Sequence, residues 1–174
     1  MSLDTADLAK RRFALLLVLA LLQGCGQPFW TPRRQVAVAE PPFPKPNSPA
    51  DIQEIELRHT GCFGTCPIYR FTFSSKGSAT YEGERFVLLA GTYEAPLDSA
   101  VFAFLSRRLI KSDAFDLASR YGAAGTDHSS RILTIVTNQG TKVVSEYGDS
   151  APARFHEVVS TIDSLGGRLR WHAK

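Results

Sequence analysis

The sequence predicts an α+β domain: an antiparallel sheet built from hairpins, with two helices packed on one face. Three observations carry that expectation. Two pairs of strand-like segments are joined by short turn sequences, Ser75-Lys76-Gly77 and Asn138-Gln139-Gly140. Two other segments place apolar residues at helical spacing. Strands and helices do not alternate as βαβ units, so a parallel, crossover-linked sheet is not expected.

The elements follow in order. Ile52 to His59 sets Ile55 and Leu57 against Glu54, Glu56 and Arg58, the pattern of a half-buried strand. Ile68 to Ser74 sets Tyr69, Phe71 and Phe73 against Arg70 and Thr72, and the first turn leads it into Ser78 to Glu82. Phe86 to Tyr93 reads as a more continuous apolar strand. A helix is expected over Leu97 to Ile110. Asp98 lies in its first turn, Val101, Phe104, Leu105 and Leu109 form its face, and Arg107 to Lys111 suit its C-terminal end. Residues 112 to 130 are loop-like, with Phe115 and Leu117 as plugs. Arg131 to Thr137 and Thr141 to Tyr147 form the second hairpin. Pro152 opens a helix with the face Phe155, Val158, Val159, Ile162 and Leu165, closed by Gly166-Gly167. A short Leu169 to Trp171 segment follows.

Ahead of this domain the chain reads as an address and a tether. Lys10, Arg11 and Arg12 precede the ten apolar residues Phe13 to Leu22. A spanning helix needs roughly 20, so a secretory signal is expected instead. The run ends in Leu22-Gln23-Gly24-Cys25, which resembles the lipobox of bacterial lipoproteins. That resemblance implies cleavage after residue 24 and lipidation of Cys25. Several acyl chains anchor stably, at about 0.8 kcal/mol per buried CH₂. Gly26 stands where an aspartate would mark retention at the inner membrane, so the expected address is the outer membrane, facing the periplasm. Seven of the ten prolines (28, 32, 41, 42, 44, 46 and 49) fall in residues 26 to 50. The segment 25–50 is therefore read as lipidated cysteine plus linker, reaching about 30 Å as a coil and about 75 Å extended. Phe29 and Trp30 suit the lipid interface. Residues 51–174 form a single domain.

A formal charge of +3 is too weak to argue for nucleic acid. The sequence has no Walker loop, His-Glu-x-x-His, Gly-x-Gly-x-x-Gly or Gly-x-Ser-x-Gly motif. The notable motif is Gly61-Cys62-Phe63-Gly64-Thr65-Cys66-Pro67, between the first two strands. In an exported protein two close thiols are expected to form a disulfide. A second reading is copper or zinc, or thiol redox chemistry, at Cys62, Cys66 and His59, with His128, His156 and His172 as remote candidates. Cys-x-x-x-Cys-Pro is similar to the copper loop of Sco-type proteins, but that loop belongs to a thioredoxin-like setting and this one runs into a strand. Exchange chemistry favours Cys-x-x-Cys at a helix N-terminus, which is absent here.

From Glu54 to Phe86 the line EIELRHTGCFGTCPIYRFTFSSKGSATYEGERF resembles an uncharacterised bacterial family, the domain of unknown function numbered 6438. Tyr121 and Thr126-Asp127 match a later element of that family, as does the closing helix. The resemblance implies an exported α+β domain and carries no activity.

Asp127-His128-Ser129-Ser130 contains triad residue types, but adjacent residues do not build a triad. A hydrolase around Asp127 and His128 is the weakest reading. Tyr121 and Asp127 are instead expected to fix the loop, with Asp127 accepting backbone N–H groups. The leading expectation is a non-enzymatic, lipid-anchored domain without a cofactor, attached to the membrane through Cys25 and binding an envelope protein or ligand.

Overall fold

The structure is a computed structural model that describes residues 41–174. The expected signal sequence 1–24, Cys25, and Phe29 and Trp30 of the expected linker lie outside the described residues. In chain order the elements are β1 (Ile52–His59), β2 (Ile68–Ser74), β3 (Ser78–Arg85), β4 (Gly91–Pro96), α1 (Ser99–Lys111), β5 (Arg120–Gly122), β6 (Ser130–Thr137), β7 (Gly140–Tyr147), α2 (Ala153–Gly166) and β8 (His172–Ala173). The strands form one sheet in the order β5-β7-β6-β1-β2-β3-β4-β8. Neighbours run antiparallel except β5, which lies parallel to β7. The α+β fold expected from the sequence is thus the fold observed. None of the described helices is long and apolar enough to cross a membrane.

Register explains the core. Ile55 stands between Phe73 and Ile135, and Leu57 between Phe71 and Leu133. These rows continue into Ala79 and Tyr81 on β3 and Val144 on β7. Side chains two apart share a face of a strand, so one face of the sheet is apolar. It packs against Leu105 and Leu109 of α1 and Phe155, Val158, Val159 and Ile162 of α2. Each such large side chain contributes about 1.5–3 kcal/mol when buried. All members of this core and its flanking apolar residues lie between Phe43 and Trp171, so the segment carries its own core.

One row further along, the same face changes character. Glu146, Arg131, His59, Tyr69, Gly83 and Gly91 are successive partners across β7, β6, β1, β2, β3 and β4. This row is polar at one end and glycine at the other. It marks the end of the core and the start of the candidate site.

Several elements differ from the expectation. The apolar stretch Phe86 to Tyr93 is not one strand: Phe86–Ala90 form a loop and pairing resumes at Gly91. A continuous apolar run carries no period that separates strand from exposed loop. Helix α1 starts at Ser99, with Asp98 accepting the Ala100 N–H at 2.7 Å as its cap. It buries Phe102 rather than Phe104, which is 45% exposed. Phe102, Leu105 and Leu109 follow i, i+3, i+7, and Phe104 stands off that stripe. Residues 112–130 hold more than loop: a 3-10 turn at Ala114–Asp116 and strand β5. Phe115 and Leu117 are buried there as the expected plugs. Lys142 donates from Nζ to the Leu117 carbonyl at 2.6 Å and holds that turn to β7. Part of the proline-rich stretch also packs on the domain: Pro46 is buried, and Phe43 stacks on Phe115 with centroids 6.0 Å apart.

Candidate functional site

Two glycines create the site. Gly83 in β3 has no room for a side chain, because a Cβ there would lie 2.0 Å from the Leu89 carbonyl oxygen. The Phe86–Ala90 loop therefore folds back directly over β3, a close backbone approach that only glycine permits. Gly166 ends α2, and a Cβ there would lie 2.4–2.6 Å from the Phe71 ring. Its absence lets the helix end come down onto β2.

Between the loop, the sheet and the end of α2 lies a cavity of about 420 Å³, a size typical of small-ligand sites. Its floor is aromatic: Tyr69, Phe71, Tyr81 and Trp171. Trp171 stacks on Phe71 at 5.8 Å and tilts over Tyr81 at 5.6 Å, while Tyr69 meets Phe71 edge-on at 5.3 Å. The indole Nε1–H donates to the Gly166 carbonyl at 3.0 Å, which ties the chain after α2 into the wall. Val87, Leu88 and Leu89 supply the opposite wall, and Pro67 from the cysteine loop completes the rim. Leu88 is fully exposed and Phe86 half exposed. Phe86 also holds a φ of +56°, a left-handed conformation that costs a bulky residue about 1–3 kcal/mol.

One end of the cavity is polar. Asp163 of α2 accepts the Tyr69 hydroxyl at Oδ1, 3.0 Å away. The His59 ring stacks on Tyr69 with centroids 4.4 Å apart. Its Nε2 lies 3.3 Å from Asp163 Oδ2, within ion-pair range but without the alignment of a hydrogen bond. Burial, followed by the Asp163 charge, pushes the Tyr69 hydroxyl above the usual tyrosine range, so it stays a proton donor. Burial also raises Tyr81, helped by neighbouring Tyr93.

The other end of the polar row is a separate cluster. Glu146 is 1% exposed and accepts Arg131 Nε at 2.7 Å and the Ala151 N–H at 2.8 Å. His156 of α2 reaches Glu146 Oε1 at 3.1 Å and the Ala151 carbonyl at 2.9 Å. Arg131 also pairs with Asp149. Glu146, Asp149 and His156 place one ligand atom each within 4.8 Å of the others, a spacing suited to a cation. The guanidinium already supplies that charge, bonded to Glu146 and Asp149 and 3.1 Å from His156 Nδ1. The cluster pins α2 to β6 and β7.

Cys62 and Cys66 form a disulfide, their Cα atoms 5.7 Å apart. Both sulfurs are used by that bond and His59 faces Asp163, so the alternative Cys62–Cys66–His59 metal set is not assembled. Tyr121 and Asp127 each act on their own stretch of loop: the Tyr121 hydroxyl accepts the Ala118 N–H at 2.9 Å, and Asp127 accepts the Thr126 hydroxyl at 3.0 Å. His128 packs edge-on against Tyr147 at 5.5 Å. Neither Asp127 nor His128 lines the aromatic cavity, and no catalytic pairing joins them there. His172 sits in β8 opposite Glu94.

Sequence reasoning passed over Asp163, Trp171 and the Phe86–Ala90 loop. Two signals pointed to them. A glycine inside a strand pattern marks close backbone approach, and an aspartate in the last turn of a helix opposes the dipole. No curated protein matches the chain. Residues 53–166 match the model of the domain of unknown function DUF6438, and the chain belongs to that family.

Proposed function

We propose that the protein is a lipid-anchored cell-envelope protein whose domain binds an apolar ligand in the aromatic cavity, without catalysing a reaction on it. The observation that carries this reading is the cavity itself: four aromatic side chains on its floor, under an exposed apolar loop. Large apolar side chains left in water are expected where a ligand or partner covers them. The strained Phe86 points the same way, because backbone strain concentrates at ligand clamps. Binding is favoured over catalysis by what lines the cavity. Among the described residues Asp163 is the one carboxylate of the lining, no serine, cysteine or lysine lines the cavity, and His59 meets Asp163 without hydrogen-bond alignment.

The envelope address rests on Leu22-Gln23-Gly24-Cys25 and the proline-rich segment after it. The Cys62–Cys66 disulfide suits an oxidising compartment such as the periplasm. Acyl chains on Cys25 and a tether formed by the proline-rich segment ahead of Phe43 would hold the domain near the outer membrane.

Two measurements test the two halves. Residues 26–174 should bind the neutral dye N-phenyl-1-naphthylamine saturably at one site. Val87→Asp should weaken that binding at least about tenfold by placing a charge against the apolar wall. A wild-type segment with no saturable binding removes the ligand reading. Separately, Cys25→Ser should abolish palmitate labelling and release the protein from membranes. Labelling that persists in the variant contradicts the anchor.

A further inference from the structure

We propose that the cavity selects an organic ammonium ion carrying a short apolar body. The inference rests on the ligand-binding reading above and names the chemistry of its ligand.

Among the described residues, Asp163 is the only formally charged side chain that lines the cavity. It lies in the last turn of α2, which contains no basic residue. That end of a helix carries the negative pole of the dipole, so an acid there is electrostatically unfavourable and a cation beside it is favoured. The Tyr69 hydroxyl gives Asp163 a hydrogen bond but no charge. His59 approaches the other oxygen without hydrogen-bond alignment. Arg85 does not line the cavity, although its guanidinium carbon lies 5.5 Å from the ring centroid of Phe86, a lining residue.

The aromatic floor adds a second, independent preference. Tyr69, Tyr81 and Trp171 carry electron-rich faces, and such faces attract alkylammonium groups. A neutral ligand would desolvate the carboxylate without offering it a charge. An anion would meet the carboxylate and the helix end together, both repulsive. An ammonium group beside Asp163 with its alkyl part against Val87 and Leu89 satisfies every wall.

The test compares three probes of one length on residues 26–174, which contain the core formed by the described residues. Hexyltrimethylammonium, hexan-1-ol and hexanoate share an apolar body and differ in charge. By isothermal titration calorimetry, hexyltrimethylammonium should bind about tenfold more tightly than hexan-1-ol. Hexanoate should be the weakest of the three. Asp163→Asn keeps an acceptor for Tyr69 and should abolish the ammonium preference, read as the ratio of the two affinities in the same variant. If hexan-1-ol binds as tightly as the ammonium, or the preference survives Asp163→Asn, the ammonium inference is overturned and the apolar-ligand reading stands. If no probe binds, the ligand reading itself falls. The comparison among probes on the unaltered chain does not depend on how the variant folds.

Discussion

Gly166 and Tyr69 show how single residues set this site. At Gly166 two effects oppose each other. Alanine favours helix over glycine by up to about 1 kcal/mol. Against that, the added Cβ meets the Phe71 ring at 2.4–2.6 Å. Phe71 is flanked by Tyr81 at 5.1 Å and Trp171 at 5.8 Å, so its ring yields only by disturbing the aromatic floor. Overpacking costs about 1–3 kcal/mol, so the clash wins. Gly166→Ala should lower stability by about 1–2 kcal/mol in urea unfolding, and an unchanged or raised midpoint would contradict the packing described. Tyr69 makes a prediction about pH. Its folded-state proton is held by burial and by Asp163, so its ionisation is shifted upward on folding. Below about pH 10 both states keep the proton. Above that the unfolded chain releases it and the native state does not, so stability falls as pH rises. Tyr69→Phe should flatten the loss of stability between about pH 9 and 11. An identical alkaline slope in the variant would show that Tyr69 titrates normally.

At the scale of elements, the cysteine loop and the β3–β4 connection do different work. The disulfide closes a five-residue loop between β1 and β2. Chain entropy makes it worth about 2 kcal/mol, while the register of those strands is held by the six ladder pairs from Glu54–Ser74 to His59–Tyr69. Reduction should therefore lower the unfolding midpoint by that modest amount and leave the circular-dichroism spectrum of the sheet intact. Collapse of the sheet on reduction would contradict this division. The β3–β4 connection is where reading by element failed. Strands β1 and β2 were legible to the residue because one face is buried and the other wet, which imposes a period of two. Phe86 to Leu89 are apolar for another reason: they wall a cavity and meet water, so no period constrains them. The same limit misplaced Phe104 on α1, where the sequence offers two adjacent apolar stripes and only packing selects Phe102.

For the whole molecule, the sheet is a scaffold whose apolar rows end at one polar row under α2. Half of that row, Glu146 and Arg131 with His156, fastens the helix. The other half, His59 and Tyr69 with Asp163, opens onto the cavity. The α+β class, the two hairpins and the cysteine pair could be read from the sequence because each is local or periodic. The cavity could not, because Tyr69, Asp163 and Trp171 come from distant parts of the chain and meet only through strand register and the turn after α2. The central claim is that this cavity is the binding surface. Nuclear magnetic resonance of residues 26–174 titrated with hexan-1-ol tests it most directly. Saturable shifts should be confined to the rings of Tyr69, Phe71, Tyr81 and Trp171 and the methyl groups of Val87 to Leu89. Shifts centred instead on the exposed groove of Phe104 and Leu165, or a drift that never saturates, would contradict it.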